Sequence, residues 1–434
     1  MSGVLLDRVA AFLDSSPAGH ASVLAVHGRR QRIEYSRSQT TMNLQVHDTV
    51  VAKTHDSGSS KVATISGAVP PALLTPMLAD ALAVHDPAGI ASREQGPLVG
   101  HPALAPAECE APEFFRGTLK SLLETSLPAN VECHSLTISE TIHETAYRSV
   151  AGTNYDTSRR WYTVTGVLLR RDLSPQLSRH VVYGRYAVGE EILTGDALHS
   201  AASLASVAGM ASRPANPAGL VFLPSATAQI LERLGDLLTN HYGHFASTRR
   251  LSLGTTVGPT WLGVYDSMPP PREGSVVGDD EGVRLRTTPL IKRGVVQGAI
   301  THQAAVVPMS ELGGNGFYSQ RSGEIEPKAR SLVLEPSSPF GVPTRLPSTV
   351  YVHGFLETRT RKLEMSAEGT VRFRASLQPT LGDPHMFFVA QVRTSLTRLL
   401  ANVLHVEDDA VPTPNSAQAL GSTVHLGGGA VTFL

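Results

Sequence analysis

The sequence predicts an α+β protein of two units. Residues 1–213 read as an N-terminal mixed α/β domain built on an antiparallel sheet, and residues 219–434 as a C-terminal β-rich domain, barrel-like or sandwich-like, with a few helices. Three observations lead there. The chain is 434 residues long, more than one core usually organises. Apolar residues make up 41% and charged residues 17%, enough to bury sizeable cores and too apolar for global disorder. The apolar period also changes along the chain, from helical spacing to alternation.

Val4 to Leu13 places Leu5, Val9, Phe12 and Leu13 on one helical face, and Ser15-Ser16-Pro17-Ala18-Gly19 stops it. Partial alternation over Arg32 to Lys53 predicts short antiparallel strands. Leu73 to Val84 reads as helix, Asp86 to Pro112 as an irregular Pro- and Gly-rich connection, and Phe114 to Leu127 as a second helix with Phe115, Leu119, Leu122, Leu123 and Leu127 aligned. Cys133 to Tyr147, Trp161 to Leu169 and His180 to Val188 then alternate as a meander of strands. Asp196 to Met210 resembles a helix, and Arg213-Pro214-Ala215-Asn216-Pro217-Ala218-Gly219 supplies the break between the units.

The second unit opens with a strand-length burst, Leu220 to Leu223. A helix follows from Ala226 to about Leu238, with Ser225 as its expected N-cap. Strands are expected at Leu251 to Thr256, Val283 to Ile291, Val295 to His302, Ser331 to Glu335, Thr349 to Glu357, Lys362 to Ala367 and Thr370 to Ser376. Lys292-Arg293-Gly294 should turn a hairpin. No repeat of fixed period is present.

Composition removes several function classes. Lys plus Arg number 37 and Asp plus Glu 38, a net charge of -1. That balance offers no general attraction for nucleic acid or an anionic membrane. Two cysteines, Cys109 and Cys133, exclude a disulfide-stapled scaffold and a multi-thiolate zinc module, and fit a reducing compartment. Asp7 and Arg8 interrupt the apolar start where a secretory segment would be uncharged. The expectation is a cytoplasmic protein. Val62 to Ala79 carries Pro70, Pro71 and Pro76 and cannot serve as a membrane helix.

The chemical motifs are sparse. His143-Glu144 starts like a zincin helix, but Tyr147 and Arg148 stand where a second histidine would complete the site. His241-Tyr242-Gly243-His244 spaces two histidines three apart, yet Gly243 argues for a helix end rather than a continuing helix. His302, His353 and His385 are isolated. No Gly-x-Ser-x-Gly elbow, phosphate-binding loop or strand-borne dinucleotide fingerprint occurs, and Gly427-Gly428-Gly429 reads as a packing or flexibility feature. The distinctive stretch is Gly278-Asp279-Asp280-Glu281-Gly282-Val283-Arg284. Three consecutive carboxylates there could collect a divalent ion; the plainer reading is an acidic turn that bends at Gly282.

That stretch also carries a resemblance. Asp279-Asp280-Glu281-Gly282-Val283, the strand with Leu290-Ile291, and Gly294-Val295 resemble the C-terminal domain of the TldD/PmbA family, once called modulators of DNA gyrase. Leu220 to Leu238, with its Phe-Leu-Pro-Ser start, resembles the segment opening that domain, and Gly314-Asn315-Gly316-Phe317, Ser331 to Glu335 and Val411 to Pro414 resemble it more loosely. The resemblance implies paired subunits. TldD-type chains carry His-Glu-x-x-x-His on the helix of the opening segment and bind zinc for peptide hydrolysis; TldE-type chains share the fold without those ligands. Here the helix reads Ile230-Leu231-Glu232-Arg233-Leu234-Gly235-Asp236-Leu237-Leu238, without histidine, and no cysteine follows residue 133. The resemblance is therefore to the TldE side.

It implies a non-catalytic subunit, inactive alone, holding no cofactor itself and pairing as a heterodimer with a TldD-like partner that holds zinc. Unstructured peptides would be the substrates, with leader-peptide removal in natural-product biosynthesis as one instance. No nucleic acid or membrane partner is expected. Asp279, Asp280, Glu281 and Gly282 are the residues expected to meet substrate or an interface. Two alternatives stay open: a metal-dependent enzyme with a rearranged site at His241 and His244, and a homodimeric peptide-binding protein.

Overall fold

A computed structural model describes residues 20–36, 39–56, 59–66, 112–149, 152–172, 180–187, 219–239, 253–268, 278–301, 314–319, 324–337, 349–355, 365–377, 386–413 and 416–434, with isolated positions at 77, 195, 198–199, 202, 206, 209–210, 217 and 363. The fold is α+β, dominated by strands. The N-terminal sheet contains β1 (His20–Ser36), β2 (Gln39–Asp56), β3 (Ser59–Ser66), β4 (Val131–Ser149), β5 (Asn154–Arg170) and β6 (His180–Ala187) in the order β3-β2-β1-β4-β5-β6. Every neighbouring pair in this sheet is antiparallel.

These strands are far longer than the short ones expected over 32–53, because each serves two cores. Toward one end, Ile33, Leu136, Ile138 and Val164 turn one face to α1 (Pro112–Leu123), which contributes Phe115, Leu119 and Leu122. Toward the other end, Leu24, Val26, Val51, Tyr147 and Tyr155 form a second cluster, and Tyr318 packs against it. Strand side chains alternate between faces. A strand spanning both clusters must therefore carry its apolar residues on different faces along its length, which blurs the alternation in the sequence. Helix α1 also stops at Leu123, short of the expected Leu127.

Two further sheets form the C-terminal part. Their strands are β7 (Gly209–Met210), β8 (Gly219–Phe222), β9 (Val264–Asp266), β10 (Thr288–Lys292), β11 (Val295–Val296), β12 (Gly316–Ser319), β13 (Glu324–Pro327), β14 (Leu332–Leu334), β15 (Thr349–Phe355), β16 (Gly369–Leu377), β17 (Met386–Thr394), β18 (Val403–Val406), β19 (Val411–Thr413), β20 (Ser416–Gly421), β21 (Val424–Gly427) and β22 (Thr432–Phe433). The six-stranded sheet runs β11-β10-β9-β14-β20-β19, and the eight-stranded one β18-β21-β8-β15-β16-β17-β22, with β7 beside β17. Strands β12 and β13 pair as a separate hairpin. Gly209–Met210 thus joins the C-terminal sheet ahead of the break at 213–219.

Helix α2 (Pro224–Leu238) packs against β14 and β20 of one sheet and β8 and β15 of the other. It is buried nearly all round, at Ala226, Ala228, Ile230, Leu231, Leu234 and Leu238 among others, as a helix between two layers must be. Burying each large aliphatic side chain is worth roughly 1.5–3 kcal/mol, against propensity differences below about 1 kcal/mol per ordinary residue. Packing decides this helix. A Cβ at Gly235 would lie 2.5 Å from Leu332 Cδ1, so the glycine lets β14 close on the helix. The N-cap is Leu223, without a side-chain cap, and Pro224 begins the helix. Ser225 lies inside the first turn: Pro224 lacks an N–H that would go unpaired there anyway and brings a preset φ, which overrides the expected Ser225 cap.

Other expectations are corrected. Residues 253–256 form a turn and an isolated bridge rather than a strand, and the strand expected from Val283 begins only at Thr288. Residues 365–367 are bends; Leu363 and Met365 are buried, and the Met365 carbonyl accepts from Thr397 N at 2.8 Å. Those apolar residues anchor a loop to α3 (Leu396–Ala401), a use of burial that alternation cannot distinguish from a strand. In the stretch Asp196 to Met210, residues 195, 198, 199, 202 and 206 are helical and the end is β7. The helices expected at Val4 to Leu13 and Leu73 to Val84, and the connection from Asp86, lie outside the described residues apart from helical Met77 and Pro112 in α1. The hairpin at 292–295 is as expected: Arg293 (φ 53°) and Gly294 (φ 70°) form the two-residue turn between β10 and β11. Among the described residues no helix is long and apolar enough to cross a membrane.

One buried network ties the hairpin β12–β13 to the core. Asp266 Oδ1 accepts from Arg330 N (2.9 Å) and Ser331 N (3.0 Å), and its Oδ2 accepts from Arg330 Nε (3.0 Å) and Asn315 Nδ2 (2.5 Å). Both members of the Asp266–Arg330 pair are almost fully enclosed. Removing one partner of such a pair strands a buried charge, so Asp266→Ala should cost about 3–5 kcal/mol, read as a lowered denaturant midpoint with an unchanged slope.

Candidate functional site

Residues Gly278 to Val283 form a tight turn closed by Asp279 N donating to Val283 O (2.9 Å) and Gly282 N to Asp279 O (3.1 Å). Gly282 sits at φ +82°, a left-handed conformation that favours glycine. The Asp279 carboxylate faces inward: Oδ1 accepts from Glu281 N (3.0 Å) and Val283 N (2.9 Å), and Oδ2 from Gly316 N (2.8 Å). It therefore joins the turn to β12. Asp280 continues that junction, its Oδ2 accepting from Tyr318 N at 2.8 Å.

The N-terminal sheet closes on this turn. Tyr147 and Tyr155, opposite each other on β4 and β5, stack with centroids 5.3 Å apart. Tyr155 OH donates to the Asp279 carbonyl, and Tyr147 OH donates to the Glu281 carbonyl at 3.2 Å. Lys53 Nζ of β2 meets Glu281 Oε1 at 3.0 Å, with both side chains largely buried. Close approach needs glycine: a Cβ at Gly278 would come within 2.8 Å of the Tyr155 ring, and one at Gly282 within 2.6 Å of the Tyr147 ring.

Beside this clasp lies a cavity of about 670 Å³. The N-terminal sheet contributes Val26, His47 and His143, the end of α2 contributes Asp236 and Thr239, and the opposite wall includes Asp280, Tyr318, Glu326 and Lys328. His47 and His143 flank Gly28 in register across β2, β1 and β4. Residues in register share a face. The His47 ring lies over Gly28, where a Cβ would be 1.7 Å from Cε1. Burial, helped by Arg159, lowers His143 to about 4, and burial with His27 lowers His47. Both shifts favour the neutral imidazole. Burial pushes Asp280 up to about 6, and burial with Asp236 raises Glu232 on α2.

The structure thus brings Asp279, Asp280, Glu281 and Gly282 to the junction of the two halves, with Asp280 also facing the cavity. His143 and Glu144, adjacent on a strand, point to opposite faces and cannot form the helical pair that a zincin needs. His241 and His244 lie outside the described residues. Among the described residues no three His, Cys, Asp or Glu side chains converge as a metal would require. Sequence reasoning missed Lys53, His47, Tyr147 and Tyr155. Alternation within β4 and β5 puts the tyrosines on a common face only once the register is known, and nothing local announces it.

With this geometry in hand, the chain can be set beside known proteins. Residues 217–406 match the PmbA/TldA metallopeptidase C-terminal domain. Residues 217–406 thus carry a domain of the PmbA/TldA metallopeptidase family. Its fold is similar to that of TldE from Thermococcus kodakarensis (TM-score 0.77, 13% identity, 99% of each chain covered). It is also similar to a protein described as a modulator of a DNA gyrase from Thermotoga maritima (TM-score 0.76, 14% identity, 99% of each chain). A third similar structure is a protein so described from Bacteroides thetaiotaomicron (TM-score 0.64, 12% identity, 98% of each chain). No curated protein matches the chain in sequence. At these identities the neighbours bear on the fold, while the C-terminal match places a metallopeptidase-family domain around α2, the turn at 278–283 and the cavity's far wall.

The raised Asp280 has a consequence for stability. Its folded value of about 6 lies above the unfolded value of 3.8, so ionisation opposes folding. The penalty is complete above about pH 6, shrinks as pH falls through the interval, and vanishes below the unfolded value. Asp280→Asn retains an acceptor for Tyr318 N–H and removes the charge. It should stabilise the protein by about 3 kcal/mol at pH 8, at ~1.4 kcal/mol per pKa unit, with the gain gone near pH 3.5; thermal denaturation across that range measures it.

Proposed function

We propose that this chain is the non-catalytic, TldE-like subunit of a two-chain peptidase, shaping a chamber for unstructured peptides while a TldD-like partner holds zinc and cleaves. The observation that carries this reading is α2. In the resembling zinc-bearing chains this helix supplies histidine ligands, whereas residues 224–238 here contain none and spend Ile230, Leu231 and Leu234 on the core. Catalytic zinc usually needs three protein ligands. The residues that the end of α2 does present to the cavity, Asp236 and Thr239, offer one carboxylate and one hydroxyl. Such a donor set does not fit a hydrolytic zinc centre, and no step of hydrolysis is assigned to this chain.

The cavity supports a peptide-holding role on its own terms. Its volume lies in the usual range for ligand sites of ~300–1,000 Å³, its walls come from both halves, and backbone-rich strands surround it. Unstructured chains bind sheet proteins through main-chain hydrogen bonds that tolerate varied sequence. Removal of a leader from a ribosomally made precursor is one reaction of this class, and the small number of cysteines fits a cytoplasmic setting. The two halves, 1–213 and 219–434, would act together, with the clasp at Asp279 to Gly282 fixing the chamber.

Co-expression with a TldD-like chain tests the reading. A stable complex should elute as a heterodimer with about one zinc per pair, and the zinc should vanish when the partner's ligand histidines are replaced. A monomer or homodimer that ignores the partner would refute the proposal. Stoichiometric zinc on this chain alone, lost on His241→Ala with His244→Ala, would favour the rearranged metal enzyme instead.

A further inference from the structure

We propose that the cavity beside the clasp binds a cationic nitrogen group, an alkylammonium or guanidinium carried by a peptide. The peptide as carrier rests on the function proposed above; the preference for a cation rests on the cavity itself. Three carboxylates line it, Asp236, Asp280 and Glu326, against the single ammonium of Lys328, with Arg233 3.6 Å from Asp236 on the helix. Asp236 and Thr239 lie at the C-terminal end of the 15-residue helix α2, where the aligned peptide dipoles add partial negative charge. A cation is the complementary guest.

The imidazoles give the second, independent reason. His47 and His143 enter the cavity from the sheet face, and neither ring has a hydrogen-bond partner among the described residues. Both residues are half-buried, so their ring nitrogens stay accessible to a guest in the cavity. Each neutral imidazole offers one lone pair and one N–H. An ammonium or guanidinium carries several donors and no acceptor, so it can satisfy an imidazole lone pair and a carboxylate together. Gly28 lets the His47 ring lie flat on β1, since any Cβ there would collide with it. The donors do not converge as a bare metal ion would require; they are spread over a space suited to a larger group that makes several directed bonds.

Ionising Asp280 opposes folding, so the free protein carries an unfavourable charge that a bound cation would compensate. That arrangement is common where a site trades stability for ligand affinity. Lys328 is exposed and can swing toward solvent when a second cation enters.

The test uses the full chain and four five-residue peptides of otherwise identical alanine sequence, measured by titration calorimetry at pH 7.5 and low salt. Three have blocked termini and carry lysine, arginine or norleucine at the centre; the fourth is all alanine with a free amino terminus. At least one cation-bearing peptide should bind about ten-fold or more tightly than the norleucine peptide, the gain expected of one charge-assisted hydrogen bond set. Preference for the lysine or arginine peptide assigns the site to a side chain, and preference for the unblocked peptide assigns it to an α-ammonium. Asp280→Asn and, separately, Glu326→Gln should each reduce that preference several-fold while both variants remain folded by near-ultraviolet circular dichroism. Equal binding of the norleucine peptide, no binding of any cation-bearing peptide, or an undiminished preference in both variants would overturn the proposal. Because the chain is measured alone, failure to assemble with a TldD-like partner leaves this result readable.

Discussion

The rest of the molecule depends on one junction: the inward-facing Asp279 and the two stacked tyrosines that meet its turn. Three backbone N–H groups converge on that carboxylate and fasten the turn to β12. The turn's own carbonyls then receive the hydroxyls of Tyr147 and Tyr155. Each hydrogen bond contributes only about 0.5–1.5 kcal/mol net, but a buried carboxylate without its donors would cost considerably more. The asymmetry makes the junction close to all-or-none, and the Lys53–Glu281 pair adds a charge contact that is screened little by salt. Because the cavity takes walls from both sides of this junction, its shape is a consequence of the clasp.

The glycines show how tightly the surfaces are matched. Gly278 and Gly282 let the tyrosine rings lie against the turn, and a Cβ at Gly316 would meet the Glu281 carboxylate at 2.4 Å. These positions are small because something else occupies their space. Gly235 does the same for α2 and β14, so the helix that lacks zinc-type ligands is held rigidly between two sheets. The central helix is thus packed between the sheets, beside a cavity lined with carboxylates and imidazoles.

Much of the architecture was legible in the sequence. The change of period, the Pro-Gly break and the helix at 224–238 lead to an α+β chain, and the Asp279 to Gly282 stretch stands out by composition. What was hidden depends on register. His47, Gly28 and His143 are distant in sequence and become one row only after β2, β1 and β4 align. Tyr147 and Tyr155 appear as ordinary strand aromatics until their hydroxyls find carbonyls more than a hundred positions away. Local rules also lost to packing: Ser225 cannot cap a helix that Pro224 already starts, and Leu363 and Met365 are apolar for the sake of an anchored loop. The acidic stretch reads from sequence as a turn that bends at Gly282, and nothing local shows that Asp279 and Glu281 are buried in it. Backbone donors and a lysine from another strand make that burial tolerable.

The central claim is a division of labour, with this chain shaping the chamber and a partner breaking the bond. The most direct measurement is the peptidase rate of the assembled pair when the partner's own zinc histidines have been replaced and this chain is unaltered. The account predicts no cleavage above background, with full activity when the intact partner is restored. Chelator-sensitive cleavage by the pair with the disabled partner would locate a working metal site on this chain and contradict the account.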